Sequence, residues 1–360
     1  MIRVLVIDDS AVVREVLTRE LNKHEDIEVV GTAPDPIVAR DRVLKLKPDV
    51  LTLDIEMPRM DGLTFLDKLM RHIPIPTVVV SSLTKSGDPL SMKALSVGAV
   101  AVVPKPGGGL STPDVGRELV HAIRAASLVS RDKLRRRVGA VAPQPAPLRS
   151  LLQGVSISNQ LVAITSSTGG PPALETILSS IPAAGPPMVI AQHMAKGFLP
   201  ALAKHLHSIS AMTVRLATDR EPVSAGVALV APDDHHMTIV RDGARFTVRL
   251  NQGPRVHFQR PAGDPLLGSV AREATVNAVG IVLTGMGRDG AQGLLEMRKA
   301  GAHTIAQDEA SSVVFGMPGA AVAAGAAEQV LPIDAIAGAI LSSRVFHRGI
   351  GTLEQKSTGT

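Results

Sequence analysis

The 360-residue chain has no cysteine, no tryptophan, no tyrosine and only six phenylalanines. Without cysteine there is no disulfide framework and no thiolate zinc site, and the expected compartment is a reducing one, the cytoplasm. So few aromatic rings leave little on which bases could stack, which argues against a single-strand nucleic-acid binder. The net charge of +5 is spread thinly, apart from Arg131, Lys133, Arg135, Arg136 and Arg137. That run reads as a solvated linker, so no nucleic-acid partner is expected. No apolar stretch nears the roughly 18 residues of a membrane span. The first apolar run meets Asp8 and Asp9 too soon for a signal peptide, so the protein is expected not to be membrane-embedded.

What is present suits two ordinary globular cores, since 45% of residues are apolar and 20% charged. Over residues 1–125, short β-rich runs (Val4 to Ile7, Val50 to Leu53, Thr77 to Val80, Ala99 to Val103) alternate with segments of helical period. That rhythm predicts an α/β domain of five βα units on a parallel sheet. Residues 126–157, with the basic run and then Ala142-Pro143-Gln144-Pro145-Ala146-Pro147, read as a linker. A second α/β alternation occupies 158–347, with candidate strands Leu161–Ile164, Met188–Ala191, Val227–Val230, Gly280–Leu283 and His303–Ala306. It predicts a doubly wound, mostly parallel sheet, followed by a flexible tail over 348–360.

In the first domain Asp8 and Asp9 follow the first strand and Asp54 follows the third, so all three acids fall at the carboxyl edge, where such sheets place their sites. Clustered carboxylates call for a hard cation such as Mg²⁺. Lys105 reaches the same edge as a point charge for an anion, and Ser81 adds a hydroxyl. This set suits phosphoryl transfer onto Asp54.

Asp8-Asp9-Ser10, Asp54-Ile55-Glu56-Met57-Pro58-Arg59-Met60-Asp61-Gly62, Ser81-Ser82 and Lys105-Pro106 resemble the receiver domain of two-component response regulators. The resemblance implies a flavodoxin-like fold and Asp54 as phosphoacceptor. It further implies Asp8, Asp9 and Asp54 around Mg²⁺, and a histidine kinase as phosphodonor. Val102 stands where receivers often carry an aromatic residue.

In the second domain the strand Leu161–Ile164 runs through Thr165-Ser166-Ser167-Thr168-Gly169-Gly170 into a helix, approximating a nucleophile elbow. A serine there lies near backbone N–H groups able to stabilise an oxyanion. Another strand ends in Gln192-His193-Met194 and a later one in Thr284-Gly285-Met286-Gly287-Arg288-Asp289-Gly290. Ser167, His193 and Asp289 thus supply nucleophile, base and orienting acid at one sheet edge. A rival exists: Gly285 to Gly290 matches G-x-G-x-x-G, and Asp308 follows at the distance of a ribose-binding acid. That reading gives no role to Ser167 or His193. Asp233-Asp234-His235-His236, after a proline and before a hairpin-like run, reads as a surface loop rather than a metal site.

Ser166-Ser167-Thr168-Gly169-Gly170, Gln192-His193-Met194, Leu283 to Gly293 and Ala306 to Ser311 look like the chemotaxis protein-glutamate methylesterase family, CheB. The resemblance implies hydrolysis of glutamate γ-methyl esters, and deamidation of glutamines, on methyl-accepting chemotaxis receptors. It implies Ser167 as nucleophile, His193 as general base and Asp289 as its partner. Thr168 and the Met286 N–H would support the oxyanion, and no cofactor is implied for the ester chemistry. Thr165-Ser166 replaces the family's common Gly-Ala, so Ser166 stands as a competing nucleophile, though the spacing to Thr168-Gly169-Gly170 favours Ser167. An alternative of a different class is a receiver-controlled interaction module with an idle hydrolase fold.

Overall fold

The computed structural model describes residues 1–57, 61–82, 89–106, 112–139 and 160–342, and the chain divides into two compact units. One comprises Met1–Ala142 with Met194–His205, the other Pro143–His193 with Leu206–Thr360.

The first unit runs β1 (Ile2–Ile7), α1 (Ala11–Leu21), β2 (Ile27–Ala33), α2 (Pro36–Leu46), β3 (Val50–Asp54), α3 (Gly62–His72), β4 (Thr77–Ser81), α4 (Pro89–Val97), β5 (Ala101–Pro104) and α5 (Thr112–Ser127). Its strands pair in the order β2-β1-β3-β4-β5, each pairing parallel. β3 and β4 are buried along their whole length, as expected of central strands covered on both faces. Polar caps start the helices where the sequence breaks its apolar runs. Asp35 accepts the N–H groups of Ile37 and Val38 at 2.9 Å ahead of Pro36, and Asp61 accepts that of Thr64 at 2.7 Å. The chain leaves β1 toward β2 on one side and returns to β3 on the other. This switch point opens a crevice at the carboxyl ends of β1 and β3. A further helix, α6 (Arg131–Gly139), lies in the segment expected to be linker. There Leu134 is 1% exposed and the Arg131 guanidinium donates to the Pro48 carbonyl at 3.0 Å.

The second unit contains β6 (Leu161–Ser166), α7 (Gly170–Ser180), β7 (Met188–Gln192), the end of α8 (Leu199–Ile209) from Leu206 on, β8 (Thr213–Leu216), β9 (Val227–Val230), β10 (His236–Asp242), β11 (Arg245–Asn251), α9 (Gly263–Glu273), β12 (Ala278–Val282), α10 (Ala291–Lys299), β13 (His303–Gln307), α11 (Met317–Ala323), β14 (Gln329–Leu331) and α12 (Ile333–Ser342). Its main sheet has the order β14-β13-β12-β6-β7-β9-β8 with parallel pairings, while β10 and β11 form a separate antiparallel hairpin. β6, β7 and β12 are fully buried and supply the centre. The neighbours of β6 are β7 on one side and the much later β12 on the other, so a second switch point lies where these three strands end.

The proline-rich stretch 142–147, the tail 348–360 and residues 58–60 lie outside the described residues, as do the side chains of Arg136 and Arg137.

Candidate active site

At the first switch point Asp54, the last residue of β3, is fully buried. Its Oδ1 accepts the Glu56 N–H at 3.0 Å and its Oδ2 the Lys105 ammonium at 2.7 Å. Asp8 receives the Ser10 N–H at 2.9 Å on one oxygen and lies 3.1 Å from Lys105 Nζ on the other. Oxygens of Asp8, Asp9 and Asp54 all lie within 4.8 Å of one another. Burial drives the Asp54 carboxyl up to about 6, with Lys105 pulling down and Asp8 pushing up. Burial likewise raises Asp8, against the pull of Lys105. Burial would lower Lys105, but the two carboxylates outweigh it and raise it. Two buried carboxylates on one ammonium leave a net negative oxygen cage, the donor set of a hard divalent cation. Ser81 ends β4 beside this edge, buried, and its carbonyl accepts the Lys105 N–H at 2.9 Å. Gly62 is forced here: a Cβ on it would collide with the Asp54 carbonyl oxygen and lie 2.8 Å from Ile55 Cα. Val102 is buried within β5 at 4% exposure.

At the second switch point Ser167, His193 and Asp289 lie past the carboxyl ends of three adjacent strands; His193 and Asp289 are in contact, and no hydrogen bond joins the Ser167 hydroxyl to His193. Ser167 follows β6, His193 follows β7, and Asp289 lies on the loop after β12. His193 Nε2 sits 2.7 Å from Asp289 Oδ2, and both side chains are nearly buried. Ionised aspartate accepts only, so Nε2 carries the proton and Nδ1 is left with the lone pair. The Asp289 oxygens also accept the Gly263 N–H at 2.5 Å and the Asp264 N–H at 2.9 Å, the first amides of α9. Burial pushes Asp289 up, but His193 and these two amides outweigh it and hold the carboxyl below its ordinary value. The acid therefore stays charged.

The loop that carries Ser167 is fixed from both sides. The Ser167 N–H donates to the Thr284 carbonyl at 3.0 Å, and the Ser167 carbonyl accepts from the Gly170 N–H at 2.8 Å and from Gln192 Nε2 at 2.9 Å. Among the described residues, the Ser167 hydroxyl and the backbone N–H groups of Thr168 and Met286 have no protein hydrogen-bond partner. Gly285 makes the close approach possible, because a Cβ there would lie 2.6 Å from Ser167 Cβ and strike Met317 Sδ. Gln307, at the end of β13, accepts the Thr284 N–H at 2.9 Å and so holds the loop that carries Met286.

Ser166 is not equivalent to Ser167. It is 0% exposed, and its hydroxyl donates to Gln192 Oε1 at 2.6 Å, away from His193. The dinucleotide reading also fails on geometry. The first turn of α10, where a phosphate would have to sit, is capped by Asp264, whose Oδ1 accepts the Gly293 N–H at 2.8 Å. Asp289 itself faces His193. Asp234 is held by Arg260 at 2.7 Å, and His236 is buried at the start of β10 with Nε2 2.9 Å from the Pro254 carbonyl oxygen. A His257, Asp264 and Asp289 cluster has metal-like spacing, but the Asp289 oxygens are already taken by His193 and two amides.

Sequence reasoning gave no role to Gln192, Gly263, Asp264, Thr284 or Gln307. The available signal was a polar residue closing a largely buried strand, as Gln192 closes the apolar Met-Val-Ile-Ala and Gln307 closes His-Thr-Ile-Ala.

Comparison with known proteins gives consistent matches. The CheB methylesterase family matches residues 162–340, and the response regulator receiver domain matches residues 4–109. Protein-glutamate methylesterase/protein-glutamine glutaminase 2 of Syntrophus aciditrophicus is 50% identical over 340 residues, covering 94% of this chain and 98% of that protein. The Bdellovibrio bacteriovorus protein-glutamate methylesterase/protein-glutamine glutaminase is 46% identical over 345 residues, covering 94% and 96%. Among solved structures, the CheB methylesterase catalytic domain of Thermotoga maritima is 36% identical with a TM-score of 0.50, covering 51% of this chain and 98% of that one. Among the described residues no helix is long and apolar enough to cross a membrane.

Proposed function

The chain belongs to the CheB methylesterase family with a response-regulator receiver domain at its N-terminal end, and from that premise we propose how its residues divide the work. It is a protein-glutamate methylesterase and protein-glutamine glutaminase. Its substrates are the methylated glutamates and selected glutamines of methyl-accepting chemotaxis receptors, and it works in the cytoplasm.

Ser167 attacks the side-chain carbonyl carbon while His193 Nδ1 removes its proton. Asp289 keeps Nε2 protonated and stabilises the imidazolium that forms. The N–H groups of Thr168 and Met286 receive the oxyanion. As the tetrahedral adduct collapses, His193 returns the proton to the departing methoxide, giving methanol and an acyl-enzyme; a glutamine loses ammonia by the same route. Water, deprotonated by His193, then hydrolyses the acyl-enzyme to a receptor carboxylate and free Ser167. The observation that carries this reading is the His193 Nε2 to Asp289 Oδ2 contact of 2.7 Å, with His193 tied through the Gln192 amide to Ser167, whose hydroxyl has no protein hydrogen-bond partner among the described residues. It supports an imidazole preset as a base.

In the receiver, Asp54 takes a phosphoryl group from a histidine kinase, and phosphorylation raises esterase activity. Asp8, Asp9 and Asp54 would hold Mg²⁺, which supplies charge neutralisation for the phosphoryl oxygens. Lys105 pairs with one of those oxygens, and Ser81 closes the site.

The test is methanol release from methyl-labelled receptor membranes, with and without a small-molecule phosphodonor. Release should disappear in Ser167→Ala and lose its phosphodonor response in Asp54→Ala. No release by the wild type from several receptors would favour the interaction module with an idle hydrolase fold.

A further inference from the structure

We infer that Gln192 is a positioning residue of the esterase reaction, that Ser166 sets the orientation of its amide, and that together they fix nucleophile and base relative to each other. The inference rests on Ser167 and His193 being that nucleophile and base.

The parallel ladder between β6 and β7 ends at the pair Ser166 and Gln192, one residue short of both Ser167 and His193. The last backbone bond across this gap is the His193 N–H to the Ser166 carbonyl, 2.9 Å. Beyond it, regular pairing cannot hold the two reactive residues at a set distance. The Gln192 side chain takes over. Its Nε2 donates to the Ser167 carbonyl at 2.9 Å and to the His193 carbonyl at 2.7 Å, bridging the two residues that must exchange a proton.

The direction of the amide is dictated by its partners. Both carbonyls can only accept, so the end of Gln192 that faces them must be its NH₂ group. The other end, Oε1, then faces Ser166 Oγ at 2.6 Å and must receive its proton. Ser166 therefore acts as an orienting donor, its proton committed away from chemistry. Gln192 is 1% exposed and Ser166 0% exposed, so water cannot substitute for either. Gly170 leaves the space this arrangement needs: a Cβ on it would collide with Gln192 Oε1 and come within 2.8 Å of Ser166 Oγ.

The experiment is steady-state methanol release by the full chain, comparing wild type, Ser166→Ala, Gln192→Met and the double variant, with Ser167→Ala as control. Folding is checked by far-UV circular dichroism and calorimetric unfolding. Misplacing the base by a fraction of an ångström is expected to lower kcat of Gln192→Met by about 100-fold with KM within about twofold of wild type. Ser166→Ala should lower kcat by about fivefold in the wild-type background and leave the Gln192→Met background unchanged, because it acts only through the amide. A structural contribution alone would lower the unfolding temperature and leave kcat in place. If Gln192→Met does not fold, Gln192→Glu keeps the volume and the acceptor for Ser166 and should lose at least about tenfold in kcat. An unchanged kcat in a folded Gln192 variant, or additive effects in the double variant, would overturn the inference. Release that survives in Ser167→Ala would instead refute the underlying assignment of the nucleophile.

Discussion

Replacing Asp289 by asparagine keeps the shape of the site and removes its charge, and the groups around the carboxylate determine the effect on catalysis. Every partner of the carboxylate is a donor: His193 Nε2 at 2.7 Å and the Gly263 N–H at 2.5 Å on Oδ2, and the Asp264 N–H at 2.9 Å on Oδ1. An amide has only one accepting end. If its NH₂ group turns toward His193, Nε2 must become an acceptor, the ring proton moves to Nδ1, and the base can no longer take the Ser167 proton. If the NH₂ group turns toward α9, it meets the Asp264 N–H, and one buried donor is left unpaired at a cost of about 1–3 kcal/mol in stability. The ring keeps its tautomer in that case, but the imidazolium loses a full opposite charge at 2.7 Å. That attraction is worth about 6 kcal/mol gross at an effective dielectric of about 20, of which the amide dipole restores a part. Both orientations therefore lead to a kcat lower by about 10³–10⁴-fold, the size expected when a triad acid is neutralised. Methanol release under saturating receptor substrate measures it. A folded Asp289→Asn protein with kcat within tenfold of wild type would refute the reasoning.

Three further perturbations have defined outcomes. Gly285→Ala places a Cβ 2.6 Å from Ser167 Cβ, so esterase activity should fall by about 100-fold or more; near-normal activity would mean the loop carrying Met286 can retreat freely. Asp54, raised by burial from 3.8 to about 6, binds its proton more tightly folded than unfolded. In metal-free buffer the receiver should thus lose up to about 3 kcal/mol as pH rises from about 4 to 6 and stay at that lower level above it. Asp54→Asn should flatten that slope in calorimetry; an unaltered slope would assign it to other groups. Phosphorylation by a small-molecule phosphodonor should fade below pH 6 without added Mg²⁺ and persist to lower pH with it, because a bound cation favours the carboxylate.

The sequence announced its central strands and its reactive groups for the same reason. β3, β4, β6, β7 and β12 are buried along their whole length and read as largely apolar runs, so a polar residue that closes or follows such a run stands out. Asp54, Ser167 and His193 were legible that way. Three edge strands were not: β2 is mostly half-exposed, while β8 and β14 are short and partly exposed, with no run to detect. α6 was hidden in a basic segment in which Leu134 is the buried anchor among the described side chains. The supports of the site were harder to read because they come from far along the chain, those of Asp289 as backbone amides. The amides that hold Asp289 come from Gly263 and Asp264, and the side chain that holds the Thr284 loop comes from Gln307. The spacing to Thr168-Gly169-Gly170 favoured Ser167 over Ser166, and the physical difference between them is the Gln192 amide, which engages the Ser166 hydroxyl.

The assignment of Ser167 as the nucleophile is tested most directly by covalent capture. A fluorophosphonate, attacked by an activated serine with loss of fluoride, should add one phosphonyl group to the wild-type protein, and peptide mass spectrometry should place it on Ser167. Labelling should vanish in Ser167→Ala, persist in Ser166→Ala, and slow in parallel with kcat in Asp289→Asn. An adduct on Ser166, or equal labelling of the Ser167→Ala protein, would contradict the account.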